Sequence, residues 1–248
     1  MCYADDALPP LPPIRGGADD QGRMTLASAD GTAVGAYYAH PDATSDLGMI
    51  VLPDVRGLHR FYEELAVRFA EAGFHAIAID YFGRTAEGAD RGEDFPFMDH
   101  VQQMEPAKTR EDVAAAADWL RGISGGGTVR SVFTVGFCMG GSVSWTQSAG
   151  GMGLAGCVGF YGQPSRAAAS IGHFEAPLLM LAAGKDFTPV ADVENFAEDA
   201  RAGGADVELH VYPDAPHSFF DRAFAEYEAE CADAWQRILD FTAAHRAS

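Results

Sequence analysis

The sequence predicts a doubly wound α/β fold, with a mostly parallel central sheet of about eight strands flanked by helices. Short runs that are apolar on both faces alternate with amphipathic stretches, which is typical of parallel strands covered by helices. The 248 residues are 48% hydrophobic, enough to form a large packed core. Neither a repeat nor an interior linker divides the sequence, so we expect a single domain over residues 23–248 after an N-terminal arm of residues 1–22.

The first two strands are predicted to form an antiparallel hairpin at one edge of the sheet. Residues 1–22 are rich in proline, glycine and aspartate, and we expect them to lie over the surface. After them, Met24–Leu26 and Val34–Tyr38 flank Ala29-Asp30-Gly31-Thr32, a segment typical of a tight turn.

The remaining strands are predicted from short apolar runs, which suit central strands buried on both faces. In chain order these runs are Gly48–Leu52, Ala76–Ile79, Ser131–Val135, Cys157–Tyr161, Leu178–Leu181 and Val207–Val211.

Amphipathic stretches predict the helices. Phe61–Ala72 and Glu111–Leu120 are two of them, and Thr109 and Asp112 have the spacing of a capping box for the second. Near the C-terminus, apolar residues recur at steps of three and four, which indicates an amphipathic helix packed on the core. They are Phe224, Tyr227, Cys231, Trp235, Ile238 and Phe241.

Two segments lack a strand pattern. Residues 83–108 are long and polar, and we expect them to cross the top of the sheet as an excursion that covers a site. The glycines at 125–127 precede a strand, whereas phosphate-binding loops follow a strand and open a helix, so we interpret this run as a connector.

The charge balance excludes several classes of partner. The chain has 17 Lys and Arg against 36 Asp and Glu, a formal net charge of −19. Such a chain repels phosphate backbones and anionic lipids, so we expect neither nucleic acid nor membrane partners. No apolar run approaches the roughly 20 residues of a membrane span. The N-terminus lacks the features of a secretory signal, which predicts a cytoplasmic location.

The cysteines do not predict a disulfide framework or a metal site. Cys2, Cys138, Cys157 and Cys231 lie far apart and form no C-x-x-C pair. No His/Cys cluster has the spacing of zinc ligands, so the sequence predicts neither a metal nor another cofactor.

The most informative motif is Gly136-Phe-Cys-Met-Gly140, between an apolar strand and a segment of small residues. It is the cysteine form of a nucleophile elbow, a sharp strand-to-helix turn whose glycines relieve clashes with neighbouring backbone. The helix N-terminus then favours the thiolate of Cys138.

Two further residues complete a catalytic pattern. Asp186 lies just past the predicted strand Leu178–Leu181, and His217 follows the next strand through a short loop. Catalytic groups in open α/β sheets gather at these carboxyl ends of strands. The order nucleophile, acid, histidine is that of α/β-hydrolases, and it predicts a triad of Cys138, Asp186 and His217.

The chain resembles the dienelactone hydrolase family of α/β-hydrolases, whose nucleophile is a cysteine in this elbow. The matching segments are Gly136–Gly141, Ala183–Asp186 and Ala215–Phe219. The resemblance implies the α/β-hydrolase fold and the same triad. It also implies hydrolysis of a small ester or lactone through an acyl-enzyme, of the carboxymethylenebutenolidase type.

The resemblance also assigns roles to the loop after Gly48–Leu52. The backbone N–H groups of Val55 and Met139 would form the oxyanion hole. Asp54 occupies the position of a family glutamate that controls ionisation of the cysteine, and it is shorter by one methylene.

Substrate contacts are implied at several further positions. In the family, two arginines bind a substrate carboxylate; Arg84 matches one of them. The other would lie four residues after the histidine, where this chain has Asp221, with Arg222 next to it. Other candidates for substrate contact are Tyr161, which matches a family pocket residue, Arg56 and His59 near the mouth, and Phe187 and Phe219 in an apolar wall.

Two other function classes stay open. A cysteine acyltransferase would use the same acyl-enzyme with an alcohol or amine as acceptor. A small-molecule binding protein would keep the fold and pocket, although it would not need the nucleophile. The sequence does not predict the oligomeric state.

Overall fold

The computed structural model describes residues 7–88, 91–92, 94–122 and 129–247; Cys2 and the glycines at 125–127 lie outside these ranges. Eight strands of the described chain form one sheet. In chain order they are β1 (Ala18–Ala27), β2 (Ala33–Pro41), β3 (Leu47–Leu52), β4 (His75–Ile79), β5 (Ser131–Phe137), β6 (Gly156–Phe160), β7 (Leu178–Lys185) and β8 (Val207–Pro216).

The sheet is parallel except at one edge. Its strand order is β1-β2-β4-β3-β5-β6-β7-β8. Strand β2 pairs antiparallel with both β1 and β4, and the other neighbours are parallel. The predicted mostly parallel sheet of eight strands, with a hairpin at its edge, is therefore confirmed.

Strand β1 begins earlier than the apolar pattern indicates. It starts at Ala18, opposite Pro41, so residues 18–22 of the predicted arm belong to the sheet. These residues are mostly polar and exposed. They still form a strand because the long β2 beside them supplies backbone hydrogen-bond partners whatever the side chains are. The preceding segment packs against helices: the Pro10 carbonyl accepts a hydrogen bond from the Trp235 indole at 3.1 Å.

Helices cover both faces of the sheet. In chain order they are α1 (Arg60–Glu71), α2 (Phe97–Val101), α3 (Pro106–Gly122), α4 (Met139–Gln147), α5 (Pro164–Ala167), α6 (Val190–Ala202) and α7 (Glu228–His245). Helices α1 and α7 bury their apolar faces in one core cluster, and α3, α4 and α6 contribute to the other. Cys231 is buried in the first cluster, as its place in the apolar stripe of α7 predicts.

Helix α3 is longer than predicted. It begins at Pro106, a residue whose fixed φ and missing N–H suit the first position of a helix. Thr109 therefore lies inside the helix, where its hydroxyl donates to the Glu105 carbonyl at 3.3 Å. The predicted capping box at Thr109 and Asp112 is wrong.

The segment between β4 and α3 carries no strand in its described part. It opens with a short 3₁₀ turn over Tyr81–Arg84, capped by the Asp80 carboxylate, and also contains α2. Arg91 fastens it to the sheet through a buried ion pair with Asp80 at 2.7 Å. No helix of the described chain combines the length and apolarity needed to span a membrane.

Candidate active site

Cys138 occupies a sharp turn between β5 and α4. Its backbone has φ 55° and ψ −114°, a conformation that non-glycine residues rarely adopt. Its N–H donates to the Phe160 carbonyl at 3.1 Å, and its own carbonyl accepts from Gly141 at 3.1 Å. The turn is thus held on one side by the neighbouring strand and on the other by the first turn of α4.

The two glycines of the motif are required by backbone contacts. A Cβ added to Gly136 would lie 1.9 Å from the carbonyl oxygen of Gly140. A Cβ on Gly140 would lie 2.2 Å from the Leu52 oxygen and 2.3 Å from that of Pro53. Both distances are far shorter than a van der Waals contact, and the obstacle is main chain that cannot rotate away. The turn therefore packs directly on the loop that follows β3.

Cys138 differs from the other two described cysteines in its surroundings. It is half-buried at the N-terminus of α4, where N–H groups and the helix dipole favour a thiolate. Cys157 and Cys231 are buried, and burial raises the pKa of each thiol to about 12. Of these three, Cys138 has the location expected of a nucleophile.

Asp186 and His217 are hydrogen bonded to each other. They follow the adjacent parallel strands β7 and β8, so the carboxyl ends of these strands bring them together. The distance from His217 Nδ1 to Asp186 Oδ2 is 2.8 Å, and the carboxylate is buried. Because a carboxylate only accepts, this contact puts the proton on Nδ1 of a neutral imidazole and leaves Nε2 as a proton acceptor.

The imidazole of His217 lies between two aromatic rings. The centroid of Tyr161 is 4.8 Å away and that of Phe187 is 4.4 Å away. Phe187 is 63% exposed, so it forms an outer wall beside the histidine. Phe219 is fully buried and packs behind Tyr161 at 5.7 Å, which places it in the core rather than in a pocket wall.

Tyr161 also contacts Asp221, which stands where the family has an arginine. Its hydroxyl donates to Asp221 Oδ2 at 3.1 Å, and both side chains are buried. Tyr161 has φ 36°, a second non-glycine residue in the left-handed region. Burial, together with the charge of Asp54, raises the pKa of the Asp221 carboxyl to about 8. A lone aspartate directly after Phe219-Phe220 is the sequence signal that points to this buried acid.

The loop after β3 folds around Asp54. Its buried carboxylate accepts a hydrogen bond from the Arg56 N–H at 2.8 Å, and its carbonyl accepts one from Gly57 at 3.1 Å. Gly57 has φ 81°, which a side chain would strain. Val55 is half-buried at the tip of this turn.

Three other predicted substrate contacts differ in exposure. Arg56 and His59 are buried, with 2% and 4% of their surface exposed, so neither side chain is presented at the protein surface. The ring of His59 packs edge-on against Tyr62 at 5.5 Å. Arg222 is exposed, and its N–H donates to the Ser218 carbonyl at 2.9 Å.

Arg84 is fully engaged with protein groups. Its guanidinium donates to both carboxylate oxygens of Asp112, at 2.9 and 2.6 Å. It also donates to Asp30 at 2.7 Å, Thr32 at 3.0 Å and Ser28 at 2.8 Å. These bonds tie the 3₁₀ turn to α3 and to the β1–β2 turn, which favours a structural role over substrate contact.

In the part of the chain that the structure describes, the acidic and histidine side chains do not form a metal centre. Among the described residues, no group of three or more His, Cys, Asp or Glu side chains is arranged to hold a metal ion. The site therefore offers a thiol, an imidazole and a carboxylate, which together can carry out nucleophilic acyl transfer.

Comparison with known proteins identifies the family. Residues 34–246 match the model of the dienelactone hydrolase family. A Yersinia pestis protein named "Putative carboxymethylenebutenolidase" is 30% identical over 241 residues, covering 92% of this chain and 89% of its own. A Salmonella typhi protein of the same name is 30% identical over 235 residues, covering 89% and 86%.

A solved structure agrees with these relatives. The crystal structure titled "Putative Dienelactone Hydrolase from Klebsiella pneumoniae subsp. pneumoniae MGH 78578" has a TM-score of 0.76 and 28% identity. The match covers 90% of this chain and 98% of that one. With the family model spanning most of the chain and its elbow, we conclude that this protein belongs to the dienelactone hydrolase family.

Proposed function

We propose that the protein is a cysteine-dependent hydrolase of a small ester or lactone, of the carboxymethylenebutenolidase type. The observation that carries the proposal is the strained turn at Cys138, at the same end of the sheet as the 2.8 Å hydrogen bond between His217 and Asp186. Strained residues of this kind cluster at active sites. Family membership and the names of the relatives support the same class of reaction.

Acylation begins with transfer of the thiol proton of Cys138 to Nε2 of His217. The sulfur attacks the ester carbonyl carbon, a C–S bond forms, and the carbonyl electron pair moves to oxygen. The N–H groups of Val55 and Met139 stabilise that oxyanion. When the carbonyl reforms, the C–O bond breaks, and the departing alkoxide or enolate takes the proton from His217.

Deacylation repeats these steps with water. His217 takes a proton from the water, the hydroxide attacks the thioester carbonyl, and the C–S bond breaks. The departing thiolate takes the proton back from His217, which regenerates the thiol and the neutral imidazole, and the carboxylic acid product leaves. For a lactone, the alcohol and acid groups remain on one product molecule.

Asp186 and the aromatic neighbours orient the base. The carboxylate of Asp186 holds the Nδ1–H tautomer and stabilises the imidazolium that forms during each proton transfer. The rings of Tyr161 and Phe187 limit rotation of the imidazole. Phe187, which is exposed beside it, is the one placed to contact a bound acyl group. Asp54, buried in the loop beside the elbow, is proposed to influence ionisation of the Cys138 thiol.

Hydrolysis of a dienelactone and of p-nitrophenyl acetate by the wild type and by Cys138→Ala tests this proposal. We expect activity on at least one substrate, and its loss in the variant. Cys157→Ala, which removes a buried thiol outside the site, is the matched control and should stay active. Full activity in Cys138→Ala would show that this cysteine is not the nucleophile.

A further inference from the structure

Two strained residues besides the proposed nucleophile lie next to the proposed base. Among the residues that the structure describes, the non-glycine residues with positive φ are Cys138 at 55°, Tyr161 at 36° and Ser218 at 63°. The Tyr161 ring packs against His217, and Ser218 directly follows it in the chain. Such backbone conformations persist only where surrounding contacts hold them. The contacts that hold Tyr161 and Ser218 therefore bear on the position of His217.

One buried side chain, that of Asp221, bonds to both Tyr161 and Ser218. Its Oδ2 accepts a hydrogen bond from the Tyr161 hydroxyl at 3.1 Å, and the Ser218 side chain hydrogen bonds to the same carboxyl group. Its Oδ1 accepts from the N–H of Arg222. Asp221, Tyr161 and Ser218 are all buried. The carboxyl group of Asp221 thus has protein partners on both oxygens and holds the two strained residues together.

The bond between Tyr161 and Asp221 connects two strands that are not neighbours in the sheet. Tyr161 directly follows β6, and Asp221 lies in the turn after β8. Strand β7 separates these two strands and leads to Asp186. The bond therefore ties together the chain segments on either side of the strand that positions Asp186. This tie fixes the end of the sheet at which the proposed base lies.

The two aromatic rings beside His217 differ in how firmly they are held. Phe187 is largely exposed, so its ring can move aside. Tyr161 is buried, and its hydroxyl is held by Asp221. Without an acceptor at Asp221, that hydroxyl would be buried and would lack its partner, which favours displacement of the ring. The tyrosine is thus the fixed wall against the imidazole, and Asp221 is the residue that fixes it.

We propose that Asp221 is a positioning residue for the proposed base, His217. By holding Tyr161 and Ser218, Asp221 keeps the imidazole in the orientation in which Nε2 receives the thiol proton. Asp186 fixes the Nδ1 edge of the ring, whereas Asp221 acts on the face of the ring through the tyrosine. This assignment rests on the proposed function, in which the imidazole is the base.

Steady-state kinetics with p-nitrophenyl acetate at pH 7 test this role. Asp221→Leu keeps the size of the side chain but cannot accept a hydrogen bond, so kcat should fall by about ten-fold or more. KM should change less than about two-fold, because Asp221 acts on the base and not on the substrate. Burial raises the pKa of the Asp221 carboxyl to about 8, so the neutral acid predominates at pH 7. Asp221→Asn resembles that neutral acid and should keep kcat within about three-fold of the wild type.

Tyr161→Phe tests the same bond from its other side. It keeps the ring, so it should fold, and loss of the hydroxyl should lower kcat by about three-fold or more. Asp221→Leu then has no bond to this ring left to break, so the double variant should lose only as much as Asp221→Leu alone. Tyr212→Phe is the matched control, because the Tyr212 hydroxyl also donates to an aspartate, Asp233, at 2.9 Å. That pair joins β8 to α7, and its loss should change kcat less than about two-fold.

The proton on Nδ1 of His217 reports the orientation of the imidazole without any substrate. Proton NMR should show it at low field in the wild type and in Asp221→Asn, because it is hydrogen bonded to Asp186, and His217→Gln assigns the signal by its loss. In Asp221→Leu the signal should move to higher field or broaden. An unchanged signal or an unchanged kcat in folded Asp221→Leu would overturn the proposal. The expected shift in a protein that hydrolyses no ester would support the positioning role and count against the hydrolase function instead.

Discussion

Tyr161 donates its hydroxyl hydrogen to Asp221 at 3.1 Å while its ring packs 4.8 Å from the imidazole of His217. A buried carboxyl group is thus connected to the proposed base through one side chain. The same carboxyl group experiences the charge of Asp54, in the loop beside the elbow. Besides Asp186, the surroundings of the proposed nucleophile and base therefore contain two buried acids, Asp54 and Asp221, which has consequences for stability as well as for the reaction.

The first prediction concerns the pH dependence of stability. The pKa of Asp221 rises from 3.8 to about 8 on folding, so the folded state binds more protons than the unfolded state between these values. Its contribution to stability is present below pH 4 and is lost as pH rises to about 8. Asp221→Asn removes this titration, so its urea midpoint should exceed that of the wild type at pH 8.5 and should vary less between pH 5 and 8.5.

Asp118→Asn, at an exposed aspartate on α3, is the control for this experiment. It should follow the wild-type profile. Parallel profiles for the wild type and Asp221→Asn would contradict a raised pKa at Asp221.

A second prediction addresses the hydrogen bond between Asp186 and His217. In Asp186→Asn the amide no longer fixes the Nδ1–H tautomer, and kcat should fall by roughly 10³- to 10⁴-fold. The measurement is the steady-state rate with p-nitrophenyl acetate. Asp192→Asn, on the exposed side of the nearby α6, should change kcat less than two-fold. A comparable loss of kcat in both variants would show that the effect is not specific to the hydrogen bond of Asp186.

The third prediction uses two glycines with opposite surroundings. Gly136→Ala forces a Cβ against the Gly140 backbone and should lower the free energy of unfolding by about 3 kcal/mol or more. Gly122→Ala, at the end of α3, meets no atom within 4 Å and should raise that free energy by at most about 1 kcal/mol. Urea denaturation followed by circular dichroism measures both. Equal stabilities would mean that the elbow relaxes around a side chain.

The fourth prediction separates structural from substrate roles for Arg84. Arg84→Gln leaves the buried Asp112 without its cation, which should cost about 3 kcal/mol of unfolding free energy. Arg130→Gln breaks an ion pair in which the arginine is more than half exposed and Asp46 keeps a second cation, Arg246, so it should cost at most about 1 kcal/mol. Both are measured by urea denaturation. If Arg84→Gln kept wild-type stability but raised KM for a carboxylate-bearing ester selectively, Arg84 would be a substrate ligand.

Local rules explain what the sequence could predict. The motif around Cys138 needs glycines because of clashes within a few residues, so the strand-to-helix turn is visible in the sequence itself. Asp186 and His217 follow strands, and parallel strands bring their carboxyl ends to one edge. That argument places the two residues together without any knowledge of side-chain packing.

Contacts between distant segments could not be predicted in the same way. Tyr161 and Asp221 are 60 residues apart, and Arg84 reaches Asp30 across 54 residues. Neither pairing has a local pattern, because long polar side chains find partners only after the sheet and its loops have assembled. The early start of β1 has a similar origin, since its polar residues pair only because β2 lies beside them.

The strained residue Cys138 follows β5, a strand with parallel neighbours, β3 and β6, on both sides. A residue can stay in an unfavourable conformation only if its surroundings have no lower-energy arrangement available. The middle of the sheet meets that condition, because the central strands of a core generally open only when much of the domain unfolds. The stability of the central strands thus keeps the backbone of Cys138 in its unfavourable conformation. Any variant that loosens β3 or β6 should reduce the reactivity of the thiol before it unfolds the protein.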